Sequence, residues 1–273
     1  MLRRTVAGSL RTVSLLLTLA FPACSRHADG QKTAPANSLA LVGDGVARDG
    51  GPNATGTPVV VELFSSEGCS SCPPADDLLE ELDRTGVLPE EGASNATVPV
   101  IAIEYHVDYW DQLGWKDPYA DASYTERQRR YGKRLHASSL YTPQAVVDGR
   151  REFVGSREGQ MKAIVRELGA MPHVPVVLSR SDDVLLLAAP GAAPGASWEV
   201  VTVERGLVSE VERGENEGRR LHHAPIARAV RKVAMPADGV TPARVDAPKK
   251  AGLAYAALLV ASDGTILGAG ESR

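Results

Sequence analysis

From residue 58 onward, short apolar runs alternate with stretches in which apolar side chains recur every three or four positions. Val59–Phe64 is apolar apart from Glu62 and predicts a buried strand, and Ala75–Arg84 carries Leu78, Leu79 and Leu82 at helical spacing. Gly86–Thr97 reads as a polar loop. Val98–His106 is uncharged until Glu104 and predicts a central strand. Ser123–His136 predicts a charged helix with a thin apolar face through Tyr124, Tyr131 and Leu135. Gln144–Asp148 and Glu152–Val154 flank Asp148-Gly149, a hairpin signal, and Ser156–Leu168 predicts a helix capped by Ser156, with Met161, Ile164, Val165 and Leu168 facing inward. After Met171-Pro172 the pattern changes. Val174–Leu178, Val184–Ala188, Trp198–Glu204 and Leu253–Val260 predict strands. The expected organisation is an α/β unit over 58–170 followed by a β-rich C-terminal module over 173–273.

The first 57 residues lack this patterning. Residues 1–24 read as an export signal, with Arg3, Arg4 and Arg11 before the apolar core Val13–Phe21 and a processing site at Pro22-Ala23-Cys24. The core is too short to span a bilayer. Phe21-Pro22-Ala23-Cys24 resembles a bacterial lipoprotein box, so Cys24 is either a lipidated membrane tether or lost with the leader. Residues 25–57 read as a linker rich in Gly, Ala, Asn, Asp, Thr and Pro. The chain carries 30 Lys and Arg against 34 Asp and Glu, and removal of the leader subtracts three positive charges. Such a balance disfavours nucleic acid as a partner, because its phosphates require a basic surface.

The chemistry concentrates in Gly68-Cys69-Ser70-Ser71-Cys72-Pro73-Pro74, between the first strand and the first helix. Two cysteines on the first turn of a helix lie within bridging reach and feel the exposed amides and dipole of that end. A free thiol has a pKa of about 8.5, whereas Cys-X-X-Cys sites reach roughly 3.5 to 7.5. Cys69 is therefore the candidate nucleophile and Cys72 the resolving thiol. Pro73 and Pro74 suit the first turn, where an amide has no intrahelical partner. Half of a zinc site and an inert structural bridge are the alternatives, and the chain holds no second Cys-X-X-Cys pair to complete a four-cysteine site.

A second concentration is Glu104–Pro118, in which four of fifteen residues are aromatic in a chain that is 5% aromatic overall. His106 and Asp108 share one face of an extended segment. Three functions fit. The aromatic residues can pack the loop on the sheet while His106 and the acids hold it. The segment can form a substrate groove beside Cys69, with His106, Asp108 and Trp110 as contacts and His106 or Asp108 moving protons during disulfide exchange. Cys69, Cys72 and His106 can together bind Cu(I) or Zn. Arg127 is a candidate holder of a loop acid. His222 and His223 point to opposite faces if they lie on a strand, which argues against a joint metal site.

The element order, with cysteines opening the first helix, resembles the thioredoxin fold. Thr142-Pro143, before the third strand of that unit, matches the position of the cis proline that packs against the cysteine pair in thioredoxin-like proteins. Together with Cys69–Pro74, Thr125–Arg129, Tyr141–Gly149, Arg213–Gly218 and Leu221–His223, the Glu104–Pro118 segment resembles a secreted bacterial thioredoxin-like family of unknown function. The buried strand carboxylate of thioredoxins is displaced here by one residue, to Glu62, which points a strand side chain to the other face. The resemblance implies a Cys69–Cys72 disulfide, substrate presentation by Thr142 and Pro143, and thiol-disulfide exchange with envelope protein thiols or disulfides without a cofactor. The rival functions are a periplasmic copper-binding or delivery protein using the same cysteines with His106, and a binding scaffold with a dormant bridge.

Overall fold

Seven consecutive buried residues form β1 (Val59–Ser65), and the rest of the molecule is arranged on its two faces. The computed structural model describes residues 56–89, 97–236, 241–248 and 250–272. The expected leader, Cys24 and all but the last two residues of the expected linker lie outside the described residues. After β1 come α1 (Pro73–Thr85), β2 (Val87–Pro89), β3 (Thr97–His106), a 3-10 helix over Asp108–Leu113, α2 (Ala122–Leu135), β4 (Gln144–Val147), β5 (Arg151–Val154) and α3 (Glu158–Gly169). The C-terminal part supplies β6 (Val177–Ser181), β7 (Val184–Ala188), β8 (Ser197–Glu204), β9 (Val208–Glu210), β10 (Arg220–His222), β11 (Ile226–Ala234), β12 (Ala243–Asp246), β13 (Leu253–Val260) and β14 (Ile266–Ser272). Among the described residues no helix is long and apolar enough to cross a membrane.

Nine strands make one mixed sheet in the order β14-β13-β8-β11-β3-β1-β4-β5, with β2 paired to β3. β1 runs parallel to β3, β4 antiparallel to β1, and β11 meets β3 in parallel at Ile226 opposite Glu104. Strand alternation sorts the core. Val59, Val61 and Leu63 of β1, with Val98, Val100 and Ala102 of β3, pack on Leu78, Leu79 and Leu82 of α1 and on Met161, Val165 and Leu168 of α3. Val60 and Phe64, with Ile101, Ile103 and Tyr105, face Tyr124 and Tyr131 of α2. β6, β7 and β12 form a small second sheet whose Leu178, Leu185, Leu187 and Val245 cover Trp198, Val200, Tyr255 and Leu259 of β8 and β13.

The protein is therefore a mixed α/β molecule with a large mixed sheet. The C-terminal residues do form strands, and four of them (β8, β11, β13 and β14) extend the sheet that contains β1 and β3. The loop expected over Gly86–Thr97 contains β2, whose Val87 and Leu88 pair with Pro99 and Val98. Ser156 does not cap α3, which starts at Glu158 with Arg157 in the capping position and no side-chain cap bond. The Asp148-Gly149 turn has positive φ at both residues, 47° and 60°, the twist that joins two antiparallel strands tightly.

Candidate functional site

Cys69 and Cys72 are disulfide-bonded, with Cα atoms 5.4 Å apart. Cys72 stands at the N-cap of α1, followed by Pro73 at N1, and its carbonyl accepts from Ala75 N at 2.8 Å and Asp76 N at 3.2 Å. Both cysteines are fully buried, at 0% exposure, while Ser70 and Ser71 between them are exposed. A solvent-facing Cys69 is thus not what the fold produces. The cover comes from two loops. Trp110 lies over Gly68, where an added Cβ would stand 3.2 Å from the Trp110 Cβ. The loop joining β9 and β10 folds back on the motif: Asn216 Nδ2 donates to the carbonyls of Glu67 (2.8 Å) and Cys69 (3.0 Å), and Ser70 donates to the Glu215 carboxylate through its hydroxyl (2.6 Å) and amide (3.2 Å).

Behind the motif lies a buried polar wall, and strand periodicity explains its position. Ser65 continues the Val59-Val61-Leu63 face of β1, and Glu104 and His106 continue the Val98-Val100-Ala102 face of β3, so all three meet the first turn of α1. The Ser65 hydroxyl donates to Asp76 at 2.6 Å. His106 Nδ1 is 2.7 Å from Asp117 Oδ2 and its Nε2 is 2.8 Å from Glu104 Oε1. His223, between β10 and β11, lies edge-on to His106 with ring centroids 5.2 Å apart. Its Nε2 is 3.1 Å from Ser209 Oγ and 3.3 Å from Glu67 Oε1. Glu67 also accepts from Trp115 Nε1 at 2.6 Å.

These groups set one another's protonation. Burial lowers the pKa of His106, but the Asp117 and Glu104 carboxylates outweigh it and hold the ring protonated well above its usual range. Burial is likewise overcome for His223, which the Glu104 and Glu67 carboxylates bring to about 9. Burial raises Glu104, and the His106 charge reverses this and takes it to about 2. Asp76 moves the other way, raised by burial and then by the Glu104 charge.

The residues expected to line a substrate groove have separate placements. Trp110 Nε1 donates to Thr142 Oγ1 at 2.9 Å, linking the cover of the cysteine motif to Thr142-Pro143, whose peptide bond is cis. Asp108 instead accepts from Thr125 Oγ1 at 2.5 Å, fastening the 3-10 helix to α2. His106 is 1% exposed and belongs to the wall, not to a groove. Cys69 and Cys72, the other members of the expected donor set, are bridged to each other in this structure. Among the described residues the group placed to hold a metal is Glu104, His106 and His223. Glu62 points to the opposite side of the sheet and accepts from Arg127 Nε at 2.7 Å and the Tyr131 hydroxyl at 2.5 Å. Arg127 also donates to Glu199, so it holds strand acids and no loop acid.

Glu67, Asp76, Asn216 and His223 are site residues that sequence reasoning does not single out for this place. Asp76 had a usable signal, since it stands four positions after Cys72 on the apolar side of α1. His222 and His223 do take opposite faces: His222 is exposed and His223 is buried.

Fold and site together define a mixed α/β protein in which a Cys-X-X-Cys bridge is seated against a buried carboxylate–histidine wall. The chain belongs to the family described as Protein of unknown function (DUF1223), whose model matches residues 60–261. Its structure is similar to the crystal structure of protein AGR_C_4864 from Agrobacterium tumefaciens, with 29% identity, a TM-score of 0.62, and coverage of 80% of this chain and 95% of that one. HBP35 of Porphyromonas gingivalis is more distant, at 14% identity and a TM-score of 0.46, over 81% of this chain and 76% of that one. No curated protein matches the chain.

Proposed function

We propose that the chain is an exported, thioredoxin-like thiol-disulfide exchange protein that acts on protein thiols or disulfides of the cell envelope through Cys69 and Cys72. The supporting observation is the position of the bridge, in the turn that joins β1 to α1, with Cys72 at the N-cap of α1. A thiolate released there lies at the positive end of the α1 dipole, which favours its charge. In the oxidised form a substrate thiolate attacks Cys69 Sγ, the Cys69–Cys72 bond breaks, and its electron pair leaves on Cys72 Sγ, which takes up a proton. A second substrate thiolate attacks the substrate sulfur of the mixed disulfide and releases Cys69. Two substrate thiols become a disulfide and the bridge becomes two thiols. Run backwards, the same steps reduce a substrate disulfide.

Because both sulfurs are buried, the exchange requires the loop over 211–219 to leave the motif, and Asn216 and Glu215 are the groups that hold it there. Once it moves, Thr142 and Pro143, tied to Trp110, are available to pair with a substrate chain in strand-like fashion.

The test uses the full chain in insulin reduction by dithiothreitol and in mixed-disulfide trapping. Wild type accelerates reduction, Cys72→Ser accumulates a mixed disulfide with insulin, and Cys69→Ser does neither. Activity in the Cys69→Ser protein, or none in wild type, overturns the assignment.

A further inference from the structure

The wall behind the disulfide contains donor atoms that its hydrogen bonds leave unused. Glu104 Oε2 and His223 Nδ1 are buried and lack a hydrogen-bond partner among the described residues, and such atoms are places for a buried water or ion. We propose that Glu104, His106 and His223 form a binding site for one divalent transition-metal ion of the Zn2+ class.

One donor atom from each residue lies within 4.8 Å of the others. His106 Nε2 is 2.8 Å and His223 Nδ1 3.9 Å from Glu104 Oε1. Ligands at about 2.0–2.1 Å from one tetrahedral ion stand about 3.3 Å apart, so changes of about 0.5–0.6 Å bring these two separations to that spacing. The outer nitrogens are already committed: His106 Nδ1 to Asp117, and His223 Nε2 to Ser209 with Glu67 beside it. Metal-ligating histidines are oriented in this way, one nitrogen on the ion and the other on a carboxylate or similar partner. Two imidazoles, each releasing the proton on its inward nitrogen as the ion enters, and a carboxylate suit Zn2+ and its neighbours and leave a fourth position open. Glu67 and Asp117 add negative charge around the ion. The site owes nothing to the cysteines and does not depend on the exchange chemistry. An ion held there ties β3 to the segment that leads from β10 into β11.

All three ligands are buried, so loading is tested during folding. The full chain is refolded with and without equimolar Zn2+ and desalted, and its metal content and thermal midpoint are read. Wild type retains about one Zn2+ per chain with a raised midpoint. His223→Ala binds at least about 10-fold more weakly, while His222→Ala and the Cys69→Ser/Cys72→Ser double variant retain about one Zn2+ as wild type does. Should His223→Ala fail to fold, Co2+ bound to wild type gives visible ligand-field bands without a thiolate charge-transfer band. The site is overturned by absence of retained Zn2+ in wild type, full retention by folded His223→Ala, loss in either control variant, or a thiolate band.

Discussion

Asn216 and Cys69 stand 147 positions apart and are joined by a 3.0 Å hydrogen bond from the Asn216 amide to the Cys69 carbonyl. The same amide serves Glu67, so one buried side chain seats the loop between β9 and β10 on the disulfide motif. Asn216→Ala removes the side-chain donor from both carbonyls, of which, among the described residues, only that of Cys69 keeps another, the Cys72 amide at 3.1 Å, and is expected to lower stability by about 1–3 kcal/mol. If the loop gates the bridge, easing its opening by about 1.4 kcal/mol raises the rate of reduction by dithiothreitol roughly tenfold. Alkylation kinetics of the released thiols measure this, and a rate equal to wild type removes the gate.

Arg127 lies between two buried acids, Glu62 and Glu199. Arg127→Met leaves Glu62 with the Tyr131 hydroxyl alone and Glu199 with the exposed Lys232 at 3.6 Å. Urea unfolding is expected to show a loss of about 3–5 kcal/mol. Adding Glu62→Gln should recover part of it, because the uncompensated charge is what costs most. A double variant no better than the single one places the damage in packing.

Gly149 has φ of +60°, and a Cβ added there would lie 2.6 Å from the Gly264 carbonyl oxygen and 3.0 Å from Arg134 Nη2. The left-handed backbone alone penalises a side chain by about 1–2 kcal/mol, and here a neighbouring backbone must also move. Gly149→Ala should therefore lose about 2 kcal/mol or more in chemical denaturation, with the bridge intact. A neutral result means that the turn can reshape.

His173 Nε2 is 2.9 Å from Asp148 Oδ2, and Asp148 Oδ1 in turn accepts from Val60 N at 2.8 Å. The hydrogen bond to Asp148 raises the His173 pKa above its usual 6.5, with burial opposing. A raised folded-state pKa gives stability that is complete below about pH 6.5 and is lost as pH climbs through the folded value. The stability difference between wild type and His173→Gln should be largest in acid and shrink toward pH 9. A gap that stays constant with pH assigns the contact to a neutral hydrogen bond.

The elements legible from the chain are those whose signals are local. β1, α1 and β3 announce themselves by an apolar run broken only by Glu62, a leucine period and a ten-residue β-rich stretch. β11 is hidden because its register shifts between Ala227 and Ala229, which resets the alternation, and because it carries the exposed Arg228, Arg231 and Lys232. β14 is hidden by Gly268 and Gly270, which a pattern of strand-forming residues excludes, yet Val174 and Val176 need the space they leave. The cysteine pair is readable for the same local reason. The wall is not: Glu67, the Glu104–Asp117 stretch and His223 come from three separated segments, and the pairing of Ile226 with Glu104 brings the last of them in. Burial of the sulfurs is illegible too, because a loop from the far end of the chain provides the cover.

The single rung between Ile226 and Glu104 is the sole strand pairing that joins the C-terminal half of the large sheet to the N-terminal half among the described residues. A proteolytic cut near residue 172 would spare both cysteines and the helices that flank them, yet it would remove Ser209, Asn216 and His223 at a stroke and open Glu104 and His106 to water. A fragment ending there is a different chemical object, with a bare bridge and an unscreened imidazole, and the properties of the intact chain belong to the two halves in company.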